Sequence, residues 1–514
     1  MVSLIRTLHK SALTVATTLA LGAATPAWAA KADDMLTVAF QRGILNLDYT
    51  QTTKREYIIL SELTDDRLFN VDNQTLELIP AVGKSFKYVN DLTIDVELRD
   101  DVSFHDGSKL TADDVVYTYT YALDKSTRNK LTKRMARWLK KVEKTGSHSV
   151  RFSLNVPYPL AVRDMARRVP LRQNGIYHAD GEYKKTAQTT RLNGTGPYRV
   201  VSFLPGKKVV LERFDDYYGA KGKPAIKTIV VRAIPDWGTQ QAELLSGGID
   251  WMYSVPTDMA ENMGKTGKAE HLKGPSMRVG FLVLDAAGKT GAGAPLTKQK
   301  VRQAIIHAID RQSIVDHLVK GSAEVIHAAC HPVQFGCTDN VQKYPYDPSK
   351  AKQLISEAGY PDGFELDLWA YREKDVAEAI AADLNKAGIK LNLRYVKLNA
   401  LNKARRAGQI PAYFGTWASG GTADVAALAN VHWREGSDRN LSGDPKVTEL
   451  MLGAEDTNDS DKRLALYDQG LKLIAEQAYW APLYSFTLNY LINTELNFPV
   501  RKDGLPRLYE ASWK

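Results

Sequence analysis

Four consecutive residues in the C-terminal half of the chain, Ser419, Gly420, Gly421 and Thr422, are suited to binding an anion. The two glycines allow successive backbone N–H groups to approach one point, and the two hydroxyls add further donors. Such a nest fits the oxygen atoms of a carboxylate or a phosphate. The same residues also fit an ordinary glycine turn in which the hydroxyls bind their own backbone.

Eight residues elsewhere carry groups that can bind a polar solute: Lys54, Arg55, Glu56, Tyr57, Arg172, Arg278, Tyr371 and Arg372. A lysine beside a glutamate can hold hydroxyl and phosphate groups together, although the same run fits a solvated helix start. Arg372 follows a predicted strand over residues 365–369, and its guanidinium could bind a carboxylate or phosphate with two parallel hydrogen bonds. An isolated arginine on the surface is the plainer interpretation.

The N-terminus has the three parts of a secretory signal peptide. Arg6 and Lys10 precede an apolar run over residues 12–24, and Ala27 and Ala29 form a small-residue cleavage pattern. The apolar run is shorter than the roughly 20 residues that a membrane span needs. We therefore predict a signal peptide over residues 1–29 and export to the periplasm. We predict no lipid anchor, because no cysteine lies near the cleavage site.

The only two cysteines, Cys330 and Cys337, are separated by six residues. In an oxidising compartment, a close pair of this kind predicts a disulfide that fixes one loop. The alternative is a metal site, because His327 and His331 flank Cys330 and two thiolates with two imidazoles can hold zinc. The spacing matches no common zinc motif, so we predict the disulfide and no bound metal.

Composition excludes several classes of function. The formal charge is +9, but lysine and arginine are interspersed with aspartate and glutamate and no basic stripe carries aromatic residues, so nucleic-acid binding is not predicted. The chain contains no HExxH, GxSxG, phosphate-loop or dinucleotide motif. We therefore predict neither an enzyme nor a resident cofactor. Removal of residues 1–29 from the 514 would leave about 485 residues, a length that predicts two to four units of about 100 to 200 residues each.

Several motifs along the chain are similar to those of one family. Residues 98–119 read LRDDVSFHDGSKLTADDVVYTY, with a turn at Asp106 and Gly107 and a helix that Thr111 caps. Residues 194–198 read GTGPY, residues 297–321 contain VRQAIIHAIDR, residues 346–364 read YDPSKAKQLISEAGYPDGF, and residues 482–484 read PLY. This set resembles the family 5 extracytoplasmic solute-binding proteins of ABC importers, which include receptors for peptides, nickel complexes and opines.

The resemblance implies an α/β, two-lobed periplasmic binding protein of type II, from the large cluster with an inserted extra subdomain and a ligand cleft between the lobes. We expect a first lobe over residues 30–275 with the insertion at about 80–192, a second lobe over 276–484, and a C-terminal return over 485–514. Pro275 and Tyr484 are the hinge candidates. The implied partners are a small-molecule ligand, an inner-membrane permease and its ATPases, and the protein is expected to be a monomer.

The resemblance also bears on the ligand. Trp417 matches a tryptophan of the family's peptide receptors, but Gly420 stands where those receptors carry the aspartate that pairs with the peptide ammonium. An anionic opine or sugar phosphate is therefore the favoured ligand. The alternative is a short peptide whose ammonium binds Asp424. A more distant alternative is a metal or haem carrier that uses His327, His331 and the two cysteines.

By resemblance, the residues at 54–57 follow the first strand where relatives place ligand contacts, and Tyr371 and Arg372 lie where the second lobe lines the cleft. Arg172 resembles an arginine of the nickel-complex receptors.

Overall fold

The computed structural model describes residues 31–514, with the exception of 53, 73, 180, 181, 185–189, 292–294 and 420. The predicted signal peptide over residues 1–29 and the ligand candidate Gly420 therefore lie outside the described residues. None of the helices in this described part of the chain has the length and apolar character needed to span a bilayer.

Strands and helices alternate along the chain, as an α/β fold requires. The strands are β1 Met35–Phe40, β2 Phe69–Val71, β3 Leu78–Pro80, β4 Gly83–Asn90, β5 Thr93–Leu98, β6 Leu139–Gly146, β7 Ser149–Leu154, β8 His178–Ala179, β9 Glu182–Tyr183, β10 Tyr198–Leu204, β11 Lys208–Arg213, β12 Thr228–Ala233, β13 Trp251–Tyr253, β14 Glu270–Leu284, β15 Phe364–Ala370, β16 Ile389–Tyr395, β17 Ala412–Ala418, β18 Trp480–Ile492, β19 Leu496–Asn497 and β20 Ser512–Trp513.

The α-helices are α1 Arg55–Thr64, α2 Ala112–Leu123, α3 Thr132–Trp138, α4 Ala161–Arg167, α5 Trp237–Ser246, α6 Thr257–Lys265, α7 Gln299–Ala308, α8 Arg311–Ile314, α9 Pro348–Glu357, α10 Lys374–Lys386, α11 Leu398–Arg406, α12 Ala426–His432, α13 Pro445–Gly453 and α14 Ser460–Glu476. Helix α2 begins directly after Thr111, as predicted. The Asp114 carboxylate accepts a hydrogen bond from the Thr111 backbone N–H at 2.7 Å, which satisfies a free donor at the helix start.

A central sheet of ten strands has the order β10-β11-β12-β1-β13-β18-β14-β17-β15-β16. Two long antiparallel strands, β14 and β18, lie in its middle and belong to both halves. We call the half that contains β10–β13 the first lobe and the half that contains β15–β17 the second lobe. A separate sheet, β4-β5-β7-β6, shares the main apolar core with the first lobe.

The pairing of β14 with β18 is interrupted where the two lobes join. Pro275 pairs with Thr487 and Val279 pairs with Ser485, so three residues of β14 stand opposite one residue of β18. Within this interruption, Met277 has a φ of 49°. A bulge of this kind bends a sheet and ends regular pairing. The predicted hinge residues Pro275 and Tyr484 lie on the two sides of the interruption.

Candidate functional site

A cleft of about 690 Å³ lies between the two lobes. The first lobe contributes the ends of β1 and β13 and the start of α1. The second lobe contributes the start of α10, and β18 lines the base. Four of the predicted ligand residues line this cleft: Arg55, Glu56, Arg278 and Arg372.

Arginines of the cleft converge on the hydroxyl of Thr416. Arg278 Nη1 donates to Thr416 Oγ1 at 2.9 Å, and Arg372 Nη1 approaches the same oxygen at 3.4 Å. Burial, together with the positive charges of Arg372 and Arg55, lowers the pKa of Arg278 to about 10. No carboxylate of the described residues lies within ion-pair distance of Arg278, whereas Arg372 pairs with Glu373 at 2.6 Å. Arg278 therefore brings to the cleft a positive charge that no carboxylate of the described residues pairs with.

The start of α1 places two charges of opposite sign at the cleft. Arg55 Nη1 donates to the Tyr253 hydroxyl at 2.6 Å and to the Gly504 carbonyl at 2.9 Å, which fixes its guanidinium. The Glu56 carboxylate differs, because its Oε2 atom is shielded from solvent and has no hydrogen-bond partner among the described residues. Glu56 therefore offers a carboxylate oxygen that a ligand cation could satisfy.

The other two residues of this run have structural positions. Lys54 is exposed at the residue preceding α1 and does not line the cleft. Tyr57 is buried, and its hydroxyl accepts a hydrogen bond from the Leu45 backbone N–H at 2.8 Å. The structure therefore brings only Arg55 and Glu56 of the predicted run to the cleft.

A smaller cavity of about 260 Å³ lies within the second lobe, and we call it the side pocket. Helix α11, strand β17 and the residues that follow α12 surround it, and Tyr371 and Trp417 are in its wall. Arg278 lines both the side pocket and the cleft. The Tyr371 hydroxyl lies 3.2 Å from Thr416 Oγ1, so Thr416 connects the two cavities through its hydrogen bonds.

The described residues of the predicted anion nest, Ser419, Gly421 and Thr422, do not line either cavity. Ser419 and Thr422 are buried. Arg168, the residue that follows α4 of the first lobe, donates from Nη2 to Thr422 Oγ1 at 3.2 Å and to the Ser419 carbonyl at 3.5 Å. Gly421 has a φ of 80°, and a Cβ added there would overlap the Arg167 guanidinium. This loop therefore packs against the first lobe, and we withdraw Ser419, Gly421 and Thr422 from the ligand set.

Asp424 is not available to a peptide ammonium. Its side chain is fully buried and forms an ion pair with Arg463 at 2.8 Å. It also accepts from the Ala426 backbone N–H at 2.9 Å, at the start of α12. Because both oxygens are already engaged, the prediction that Asp424 binds ligand is wrong for this geometry, and its role is to fix the start of α12.

Arg172 is likewise structural. Its side chain is fully buried in the first lobe, forms an ion pair with Asp65, and donates from Nε to the Tyr177 hydroxyl at 3.2 Å. A buried arginine with these partners stabilises the packing of the segments that carry them. The structure therefore contradicts its assignment as a ligand residue.

The predicted disulfide is confirmed. Cys330 and Cys337 are covalently paired with a Cα–Cα distance of 5.7 Å. Their sulfurs cannot act as zinc thiolates in this state, and burial lowers the pKa of the neighbouring His331 to about 4. Among the residues that the structure describes, no group of three or more histidines, cysteines and carboxylates is arranged to hold a metal ion.

Sequence reasoning missed several residues that the fold brings to the site. Thr416 is adjacent to Trp417, but no motif marks its hydroxyl as the shared partner of two arginines. Arg405 on α11, His432 at the end of α12 and Arg439 in the segment after α12 line the side pocket. Their separation along the chain gives no local pattern, so only the tertiary structure reveals the set.

Comparison with solved structures defines the class of the fold. The structure superposes on that of HbpA2 from Haemophilus parasuis with a TM-score of 0.83 and 24% sequence identity, covering 93% of this chain and 100% of the other. This is the two-lobed type II periplasmic binding protein fold, so the predicted fold class is confirmed.

The family model for bacterial extracellular solute-binding proteins, family 5, matches residues 77–437. The chain therefore belongs to this family, as the resemblance predicted. It is similar to heme-binding protein A of Haemophilus influenzae, with 26% identity over 83% of this chain and 82% of that protein. It is also similar to the dipeptide-binding protein of Escherichia coli, with 27% identity over 80% of this chain and 82% of that protein. The family consists of solute-binding proteins of transporters and not of enzymes.

Proposed function

We propose that this chain is the periplasmic receptor of an ABC importer and that it captures a short peptide between its lobes. The peptide alternative takes precedence over the opine or sugar phosphate first favoured, because a relative in the same family is named a dipeptide-binding protein and the peptide is the better supported of the two. The receptor would close on its ligand and deliver it to an inner-membrane permease driven by ATPases.

The observation that supports a peptide is the charge arrangement of the cleft. A peptide at neutral pH carries an ammonium group at one end and a carboxylate at the other. Glu56 offers an unsatisfied carboxylate oxygen, and Arg278 offers a guanidinium that bonds the Thr416 hydroxyl and pairs with no carboxylate of the described residues. Both line the same cleft, so one bound zwitterion would neutralise both.

The cleft volume is compatible with this assignment. Pockets that enclose small ligands occupy about 300 to 1,000 Å³, and the cleft of about 690 Å³ lies within that range. Backbone hydrogen bonds of the peptide would add to the two charged contacts.

The lobe boundaries form part of the proposal. We place the junction at residues 276–278, where the pairing of β14 and β18 is interrupted, and keep the first lobe at residues 30–275 and the second at 276–484. Residues 485–514 then return to the first lobe. The hydrogen bond from Arg55 of the first lobe to the Gly504 carbonyl supports this return. Closure would require rotation about this interruption.

The test is calorimetric titration of the purified protein with di- and tripeptides, each compared with its N-acetylated form. Acetylation removes the ammonium charge, so we expect affinity to fall at least about tenfold, as for a lost hydrogen bond to a charged group. In the Glu56→Gln variant the unmodified peptides should bind correspondingly less tightly, and acetylation should have little further effect because the two changes remove one interaction.

Glu261→Gln is the matched control, because Glu261 lies on α6 and does not line the cleft. This variant should keep the full loss of affinity on acetylation. If no peptide binds, the proposed function is wrong. If peptides bind but Glu56→Gln keeps the same dependence on acetylation, the assignment of Glu56 is wrong.

A further inference from the structure

The side pocket carries more positive than negative charge. Arg278, Arg405 and Arg439 line it. Among the described residues, only Asp438 forms an ion pair with any of them, at 3.2 Å from Arg405. Three guanidinium groups therefore share one carboxylate, which leaves the pocket suited to an anion and unfavourable for an ammonium group.

Neutral polar groups with unsatisfied hydrogen bonds line the same pocket. Both ring nitrogens of His432, the hydroxyl of Tyr413 and Oδ1 of Asn402 are shielded from solvent without a hydrogen-bond partner in the described part of the chain. Burial, together with the charges of Arg439 and Arg405, holds the pKa of His432 well below its usual value, so the ring is neutral and has one N–H to donate. Buried polar groups normally have partners, so this concentration indicates a place for a polar ligand group.

An apolar wall gives the pocket its shape. The rings of Phe281 and Trp417 pack edge-to-face against His432, with centroid distances of 5.3 and 5.4 Å. The Arg439 guanidinium lies over the Trp417 ring at 5.4 Å from its centroid. Stacking of this kind positions an arginine while leaving its N–H donors free.

The side pocket is also well placed relative to the cleft. Arg278 lines both cavities, so a group in the side pocket can belong to a ligand whose main part lies in the cleft. The volume of about 260 Å³ is below the range for a whole small ligand, which is about 300 Å³ or more, and so favours a single side chain.

We propose that the side pocket is a subsite for the carboxylate of an acidic peptide side chain, bound by Arg439 and Arg405. The receptor would then prefer peptides that contain glutamate or aspartate over peptides of the same shape that contain the amide. This inference rests on the proposed peptide-binding function and adds a specificity to it.

The test compares the peptides Ala-Glu with Ala-Gln and Glu-Ala with Gln-Ala by calorimetric titration. Each pair has nearly the same shape and differs in one charge. We expect the acidic member of at least one pair to bind at least about tenfold more tightly, because hydrogen bonds to a charged group are the stronger ones. In the Arg439→Gln variant this preference should fall to near equality, while the affinity for the amide peptide changes little.

Arg406→Gln is the matched control, because Arg406 is an exposed neighbour of Arg405 that does not line the pocket. It removes the same net charge and should leave the preference intact. If the amide and acidic peptides bind equally to the wild-type protein, the subsite is wrong and the peptide receptor stands. An acidic preference that survives Arg439→Gln, in protein with unchanged melting temperature, also overturns it. If none of the four peptides binds, the proposed function is wrong and the subsite falls with it.

Discussion

At the scale of single residues, the site depends on one hydroxyl. Thr416 is buried on β17, and its Oγ1 lies within hydrogen-bonding distance of Arg278, Arg372 and Tyr371. A hydroxyl oxygen accepts from both guanidinium groups without neutralising them. Thr416 therefore orients both guanidinium groups and leaves the charge of Arg278 available to a ligand.

Replacing this hydroxyl tests its role. Thr416→Val keeps the shape of the side chain but removes the acceptor, so both arginines lose a fixed position. We expect peptide affinity to fall about fivefold, equivalent to about 1 kcal/mol for one hydrogen bond, as measured by calorimetry. Thr448→Val is the control, because its hydroxyl donates to the Trp433 carbonyl and Thr448 does not line the cleft. Equal losses in the two variants would contradict the proposed role.

At the scale of elements, the lobes also contact one another away from the cleft. Arg137 at the end of α3 forms an ion pair at 2.6 Å with Glu455, which follows α13 in the second lobe. Burial raises the pKa of Glu455 to about 7, and the opposing effects of Arg137 and Asn430 do not outweigh it. The carboxyl group therefore binds a proton more tightly in the folded protein than in the unfolded chain.

This pKa shift gives stability a defined dependence on pH. Because the pKa is raised from 4.5 to about 7 on folding, the contribution of Glu455 is fully present below pH 4.5 and is lost as pH rises through about 7. Glu455→Gln should remove this dependence, so the difference in melting temperature between variant and wild type should change between pH 5 and pH 8. Asp456→Asn, at an exposed neighbour, is the control and should follow the wild type. Parallel curves for wild type and Glu455→Gln would contradict the prediction.

At the scale of the whole molecule, the lobes meet through the loop that carries Gly421. The close approach of Gly421 to Arg167 leaves no space for a side chain. Arg167 is itself fixed by an ion pair with Asp503 at 2.7 Å in the C-terminal return. A change at this glycine should therefore act on the relative position of the lobes.

Gly421→Ala tests this directly. The added Cβ would overlap the Arg167 guanidinium, so the lobes should fail to reach this arrangement and the radius of gyration in solution scattering should stay high after peptide is added. Gly408→Ala is a close control, since Gly408 also has a positive φ, of 66°, but has open space around it. Equal compaction of both variants on adding peptide would show that the Gly421 contact does not control closure.

The sequence alone determined the family, the fold class and the disulfide. Turns, caps and short helices depend on residues close together in the chain, so the motif over residues 98–119 can be recognised from the sequence alone. The pairing of Cys330 with Cys337 can be predicted for the same reason, since the two residues are seven positions apart in the chain. The sequence also identified Arg55, Glu56, Arg278 and Arg372, which line the cleft.

The tertiary structure decided which charged groups remain available to a ligand. Asp424 and Arg172 carry charges that could bind a ligand, but each already forms an ion pair within the protein. Asp424 pairs with Arg463, 39 positions away in the chain, and Arg172 pairs with Asp65, 107 positions away. Thr416 and Arg278 are separated by 138 positions. The charge that a side chain offers depends on its partners in space, and local sequence patterns carry no information about partners at such separations.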